Sequence, residues 1–482
     1  MLTSFFDEDN TQYVLSSTGS VRWLVHSPDA STDRQNSLVD ELPAELLVKI
    51  FEYACLDIAG NSTAGVYFPL VALTQVCHLW RTAALETPSL WTNIHIRNYS
   101  EERMKVAART YLERSKTCPL SLTWLANEWD ETDGLAVIDD LIIPFAKRWR
   151  RMAVTLVTTS GKIVDALRTG MKTLSFPILL DVRINSCAWK FPPFELTFQD
   201  APLFRRCKFE NVISVPPLPL NHQSHLVVLD YLFSGRSAGP VNILGPLLEF
   251  LPHVARSLEQ LRFLTPGFHV SLIPHGESRI PLQNLKSLVV MVRPYNIMDY
   301  ITTPNLAYLS MVDEEGTDAR EVVERFHGFP APELRSLLLR RTPLLSLLTP
   351  HDLPLMFPQL ESVVLANCID GSASAFISLL IQPELKEPSS LQIGLNPSRA
   401  HYPFPELKEL TICTPTDRGW LTSLRTAMQQ RDGGVKRDIS NFTHEDLIRL
   451  LSDRGVKLIL NDSFDWLLSA PEEFQDKFYI QN

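Results

Sequence analysis

The stretch LKSLVVMVRPYNIMDYITTPNLAYLSMV, residues 285–312, holds two copies of one pattern. Each copy opens on a leucine, Leu285 or Leu306, and continues as Leu-x-x-apolar-x-apolar, through Leu288 and Val290 in the first and Leu309 and Met311 in the second. Alternation of this kind puts every second side chain on one side of an extended chain, so each copy predicts a β-strand with one buried face. Asn284 precedes the first copy, and Pro304 with Asn305 precedes the second, which marks the turn into each strand.

Outward from this stretch the same register recurs at Leu258, Leu334, Leu360 and Leu407. LQIGL (391–395) supplies a candidate strand in the widest gap, and VKLILN (456–461) a last one. Toward the N-terminus the strand-like runs are WTNIHI (91–96), PLSLTWL (119–125), MAVTLV (152–157), LLDVRI (179–184), LFRRCKF (203–209) and HLVVLDYL (225–232). A period of about 20–29 residues with this leucine spacing is the signature of leucine-rich repeats. Asn367 comes nearest to that repeat's asparagine position. Helical patterns fall between the strands. Ser100–Lys116 has a buried stripe at Met104, Ala107, Ala108, Tyr111 and Leu112, with Ser100 as its cap. Asp133–Ile143, Lys162–Arg168 and residues 372–381 look similar. The pattern predicts a curved α/β solenoid, and an ordinary doubly wound α/β domain is the alternative.

In that solenoid the residues between the buried positions face outward and form the candidate partner surface. They are Ser287, Val289 and Met291; Tyr308 and Ser310; Ser336, Leu338 and Arg340; Ser362 and Val364; Glu409 and Thr411. Tyr308, Ser310, Leu338, Arg340, Val364 and Glu409 are the residues chosen as contacts, and this mixed row suits a peptide or protein better than a phosphate-rich ligand.

The chain has 482 residues, 45% of them hydrophobic and 21% charged, as expected of globular proteins with two units or a repeat array. A net charge of −10 argues against nucleic acid as a partner. The basic run Lys147–Arg151 reads as a solvated helix end or loop. Seven cysteines without a CxxC or zinc spacing point to free thiols. No membrane span or basic leader is visible, so a cytoplasmic or nuclear location is expected.

The second informative segment is Leu42–Trp91, LPAELLVKIFEYACLDIAGNSTAGVYFPLVALTQVCHLWRTAALETPSLW. Pro43 suits the start of a helix running to Cys55, with Leu46, Leu47, Ile50, Phe51 and Ala54 at helical spacing. A second helix is predicted over Pro69–Leu85, carrying Leu70, Leu73, Val76, Cys77, Trp80 and Ala84. Helices this apolar need neighbours on more than one side. The order Leu42-Pro43-x-Glu45-Leu46-Leu47-x-x-Ile50-Phe51, then Val76-Cys77-x-x-Trp80-Arg81, then Pro88-x-Leu90-Trp91, resembles an F-box. It is similar to the large F-box-like family of mushroom-forming fungi, which joins such a segment to degenerate leucine-rich repeats. Two departures are an insert at Asp57–Phe68 and His78 in a commonly basic place.

The resemblance implies a Skp-family adaptor as partner, and through it a cullin–RING ubiquitin ligase whose substrate protein is held by the repeats. It assigns the adaptor contact to Leu42, Pro43, Leu46, Leu47, Ile50, Phe51, Val76, Trp80 and Arg81. The alternative is a non-ligase repeat scaffold in which this segment only caps the solenoid. The expected fold class is therefore α/β, a short all-helical F-box-like module followed by an irregular leucine-rich-repeat solenoid, or horseshoe. Its expected boundaries are a tail at 1–38, the helical domain at 39–91, the repeats at 92–462 and a C-terminal cap or tail at 463–482. No catalytic constellation, metal set or cofactor motif is found. Thr158–Lys162 lacks the glycine of a phosphate loop, and His253, His351 and His401 stand isolated, so a non-enzyme is expected.

Overall fold

A computed structural model describes residues 13–15, 21–23, 42–56, 69–97, 99, 101–126, 131–157, 161–186, 200–211, 225–232, 244–264, 279–291, 297–312, 329, 331–340, 356–366, 376–377, 380, 404, 406–413, 444–453 and 455–461. The candidate strand LQIGL, Asn367, the expected cap Ser100 and the 57–68 insert lie outside them. Among the described residues the strands after residue 92 pair in parallel within each unit. The chain divides into two units, residues 1–181 with Asn482, and residues 182–481.

Among the described residues the first unit carries helices α1 (Ala44–Leu56), α2 (Pro69–Leu73) and α3 (His78–Glu86), then a 3-10 turn at Pro88–Trp91. Strands β1 (Asn93–Ile96), β2 (Leu120–Ala126) and β3 (Trp149–Leu156) come next in parallel, with Ile94 opposite Leu122 and Leu122 opposite Met152. Helix α4 (Glu102–Arg114) connects β1 to β2 and buries Met104, Ala108, Tyr111 and Leu112, the predicted stripe less Ala107. Glu101 stands at its N-cap without a side-chain capping bond. Helix α5 (Glu131–Val137) widens into a π-helical turn at Ile138–Ile142, and α6 (Gly161–Thr173) comes after β3. A short antiparallel pair, Tyr13–Leu15 with Val21–Trp23, lies in the expected tail.

Two expectations need correction here. The single helix over Pro69–Leu85 is two, because the chain turns at Thr74–Val76 and is extended at Cys77 (φ −157, ψ 173). The Thr74 hydroxyl donates to the Val71 carbonyl (2.7 Å) and Arg81 Nε donates to the Thr74 carbonyl (2.9 Å), which replaces helical bonding at the break. The basic run is also not wholly solvated. Arg148 is half-buried and donates to Ser115 Oγ (2.7 Å) and to the Cys118 carbonyl (3.1 Å), collecting acceptors past the end of α4. Trp149 is fully buried and donates from Nε1 to the Ile142 carbonyl (3.1 Å).

The second unit carries β4 (Asp181–Ser186, from Val182 onward), β5 (Arg206–Glu210), β6 (Val228–Leu232), β7 (Gln260–Leu264), β8 (Ser287–Met291) and β9 (Tyr308–Val312). It continues with β10 (Ser336–Arg340), β11 (Ser362–Ala366), β12 (Glu409–Cys413) and β13 (Lys457–Asn461). From β5 onward the register never slips: Leu229, Leu261, Leu288, Leu309, Leu337, Val363 and Leu410 align across successive strands. All are buried, as are Tyr231, Phe263, Val290, Met311, Leu339, Leu365 and Ile412 two residues on. Each such side chain contributes about 1.5–3 kcal/mol of hydrophobic free energy. Helix α7 (Leu244–Val254) lies between β6 and β7, and α8 (His444–Ser452) between β12 and β13. Gly455, at φ +76, adopts the left-handed conformation that lets Val456 N donate to the Leu451 carbonyl (2.9 Å) and close α8.

One local device sets these strands. In most of them the amide of the leading residue donates to the carbonyl three positions back, as in Leu306 to Thr303 (3.2 Å), Leu334 to Ala331 (3.1 Å), Leu360 to Phe357 (3.3 Å) and Leu407 to Phe404 (3.3 Å). Both ends of these four turns are buried. Pro177, Pro202, Pro304, Pro332 and Pro358 occupy the second position of such turns, where a fixed φ is an advantage. Asn284 and Asn305 donate from Nδ2 to the Arg256 and Gln283 carbonyls (2.6 and 2.7 Å) of the preceding segments. Lys286–Glu259 (2.9 Å) and Lys408–Glu361 (2.7 Å) add exposed ion pairs, worth little individually.

Thr303 fills a turn position taken elsewhere by Phe176, Ala331, Phe357 and Phe404, and its buried hydroxyl has no hydrogen-bond partner among the described residues. Replacing it with valine, Thr303→Val, is expected to raise stability by about 1 kcal/mol, read as a higher urea midpoint. In β1, burial, with the Arg97 charge second, pulls the His95 imidazole below its ordinary 6.5. Above pH 6.5 both folded and unfolded chains hold it neutral; below that value the unfolded chain binds the proton first, so stability falls. A melting series taken down through pH 6.5 is expected to decline in the wild type and to flatten in His95→Gln.

Candidate functional site

Helix α1 divides its apolar residues between two faces. Leu47 and Phe51 are fully buried, and the Phe51 ring meets Trp80 of α3 at 5.1 Å between centroids. Leu70 of α2 is buried as well. Facing away, Leu46, Ile50 and Tyr53 are 50%, 43% and 71% exposed, at positions i, i+4 and i+7 of one helix. Three large side chains stacked in this way make a continuous apolar stripe, unlike singly scattered surface residues. Pro43 is exposed at the helix start, and its carbonyl accepts from the Leu46 and Leu47 amides (3.0 and 3.2 Å). Leu42 is half-buried.

Val76 stands 54% exposed at the turn between α2 and α3, and Arg81, five residues on, is held to Thr74 of the same turn. Trp80 is half-buried, and its Nε1 has no acceptor among the described residues. Of the nine residues read from sequence as one contact set, the structure therefore places Leu47 and Phe51 in the core of the helical module and Trp80 against Phe51. Leu46, Ile50, Pro43, Val76 and Arg81 are open to a partner. Tyr53 was missed, although its place seven residues after Leu46 is the signal that finds it.

Behind this face, Trp91 joins the helices to β1 and α4. It is fully buried, donates from Nε1 to the Ala84 carbonyl (2.8 Å), and meets Tyr111 edge-on at 5.0 Å and 71°. The Arg114 guanidinium lies 4.4 Å from the ring centroid. Burial raises the Tyr111 phenol pKa, with the Cys55 thiol adding to the effect and Arg114 opposing it, so the end of α1 also reaches this cluster. Burial likewise pushes Cys55 up to about 11, which makes it an unreactive thiol.

This arrangement has a match among known families. Residues 39–97 form an F-box-like domain, for a family model described as F-box-like matches them. The match takes in α1, α2, α3, the Trp91 turn and β1, so the F-box-like domain runs into the first strand. A search of curated proteins finds no match to the chain.

In the second unit the expected outward row is only partly open. Tyr308, Ser310 and Leu338 are buried, whereas Arg340, Val364 and Glu409 are half-buried. Leu338 and Val364 pack with Ala366 and Cys413 on this same side of the sheet. A parallel sheet is ordinarily covered on both sides, so alternation alone does not make a residue accessible. Burial pushes the Tyr308 phenol up to about 12, against a hydrogen bond from Ser310 and the charge of Arg262. Sequence reading passed over Asp230 and Arg262, which lie opposite each other on β6 and β7 with Oδ1 and Nε 3.7 Å apart. Among the described residues no group of three or more His, Cys, Asp or Glu is placed to hold a metal, and no helix is long and apolar enough to cross a membrane.

Truncating the buried indole, Trp91→Ala, is expected to cost about 3–5 kcal/mol in urea unfolding. Trp91→Phe is expected to cost less while still losing the bond to Ala84.

Proposed function

We propose that this chain is the substrate receptor of a Skp–cullin–F-box type ubiquitin ligase, non-catalytic itself. The observation that carries the reading is the Leu46–Ile50–Tyr53 stripe, exposed within the F-box-like match. Exposed aliphatic and aromatic anchors on a rigid helix are what a large apolar interface needs, and a Skp-family adaptor is the partner that F-box domains commonly bind. The strands after residue 92 act in this proposal as irregular leucine-rich repeats forming a solenoid. The aligned register and repeated turns support that architecture. The repeats hold the substrate and raise the effective concentration of its lysines near the conjugating enzyme. The chain works in the cytoplasm or nucleus, with segments 1–38 and 463–482 outside both domains.

A second reading, a repeat scaffold capped by the F-box-like segment, draws on Trp91. An indole so closely held to Tyr111 and Ala84 is what a cap needs as well. Adaptor binding separates the two. In pull-downs with a purified Skp-family adaptor, Ile50→Asp or Leu46→Asp is expected to lower recovery at least about tenfold, since a carboxylate in an apolar interface costs more than about 1.4 kcal/mol. Lys49→Ala, which removes only an exposed contact to Glu52 (2.6 Å), is expected to bind like wild type. Equal recovery of folded wild type and Ile50→Asp leaves the capping role.

A further inference from the structure

The aligned core row of the second unit changes character at its last strand. Leu229, Leu261, Leu288, Leu309, Leu337, Val363 and Leu410 are each no more than 1% exposed. Leu458 of β13 stands next in the row, opposite Leu410, yet it is only half-buried. Helix α8 packs on β13, and its Ile448 is 41% exposed although Leu447 and Leu451 are fully buried. The apolar interior therefore reaches the surface at this end of the unit. Backbone groups are open there as well. Lys457 N donates to the Lys408 carbonyl (2.8 Å), so Lys457, Ile459 and Asn461 turn their amides and carbonyls toward β12. Leu458 and Leu460 turn theirs to the opposite edge, along which no strand lies among the described residues. An edge of this kind pairs with whatever extended segment is at hand.

We propose that the segment following β13 in the same chain covers this edge, with Trp466, Leu467 and Leu468 laid on Leu458 and main-chain bonds made to Leu458 and Leu460. Residues 463–482, SFDWLLSAPEEFQDKFYIQN, lie outside the described residues, and eight of these twenty are large and apolar or aromatic. Burying such side chains on the open edge takes apolar surface of both out of water. Reach favours this occupant. Trp466 comes five residues after Asn461, an extended span of roughly 17 Å, against about 4.8 Å between neighbouring strands. A segment on so short a link meets the edge at an effective concentration in the millimolar range. A foreign strand or a second copy of this chain, at ordinary protein concentrations, has to displace it. The inference does not depend on the adaptor reading.

The test is amide hydrogen exchange on the full-length chain, read residue by residue across 456–462. In the purified wild type at low micromolar concentration, Leu458 and Leu460 are expected to exchange as slowly as Ile459, whose amide faces β12. The double variant Trp466→Ser, Leu467→Ser is expected to speed both about tenfold or more. Glu409 and Thr411, bonded on the far side of β12, are expected to keep their rates, which shows that the variant is folded. Gln475→Ser, a polar change in the same segment, is expected to leave Leu458 and Leu460 at the wild-type rate. Rapid exchange of these two amides in the wild type leaves the edge free for a partner's strand and overturns the proposal. So does protection that survives the double variant. Protection that appears only as concentration is raised, together with a monomer-to-dimer change in light scattering, assigns the edge to a second copy and overturns it too.

Discussion

The ladder in this protein depends on a constraint applied before most of its strands begin. A tight turn buries a residue at each end and delivers the chain into the sheet two residues after its leading leucine. The two anchors fix both the depth and the rotation of the incoming strand. A slip of one residue would turn Leu309 and Met311 outward and Tyr308 and Ser310 into the core. Because Ser336, Ser362 and Glu409 each come after such a turn at the same offset, their strands align without a bulge. Proline at the turn reduces the freedom of the unfolded chain at a place where the folded one needs a fixed φ.

The helical module is organised by a different requirement. Its short helices are too small to bury their apolar residues on one another, so part of that surface must go elsewhere. Leu47, Phe51 and Leu70 form the small internal core, and Trp91 extends it by packing on Tyr111 beneath Arg114. The remainder is the Leu46–Ile50–Tyr53 stripe. The proposed adaptor contact uses the outer stripe of α1 and the alternative capping role the cluster around Trp91, so the two readings do not compete for one face.

Much of this could be read from residue order. Every strand-like run before and after residue 200 has a strand within or beside it where the residues are described, and the stripe of α4 is the predicted one apart from Ala107. The break between α2 and α3 was not legible, because it rests on Arg81 reaching back to the Thr74 carbonyl, a contact that no helical pattern records. Nor was the division of α1. Leu46 and Leu47 are equally hydrophobic neighbours, about 100° apart on a helix, and which one is buried depends on which side of α1 the rest of the module packs.

The sequence by itself determined the succession of strands, the register of each strand and the place of the F-box-like segment. These come from periods of two and 3.6 residues and from turn-forming residues, which act locally. The tertiary structure alone decided accessibility. Tyr308, Ser310 and Leu338 alternate as outward residues should, yet they are buried, while Val289 on a neighbouring strand stays partly open. Periodicity assigns a side chain to a face of the sheet; whether that face meets water depends on what other parts of the chain lie over it.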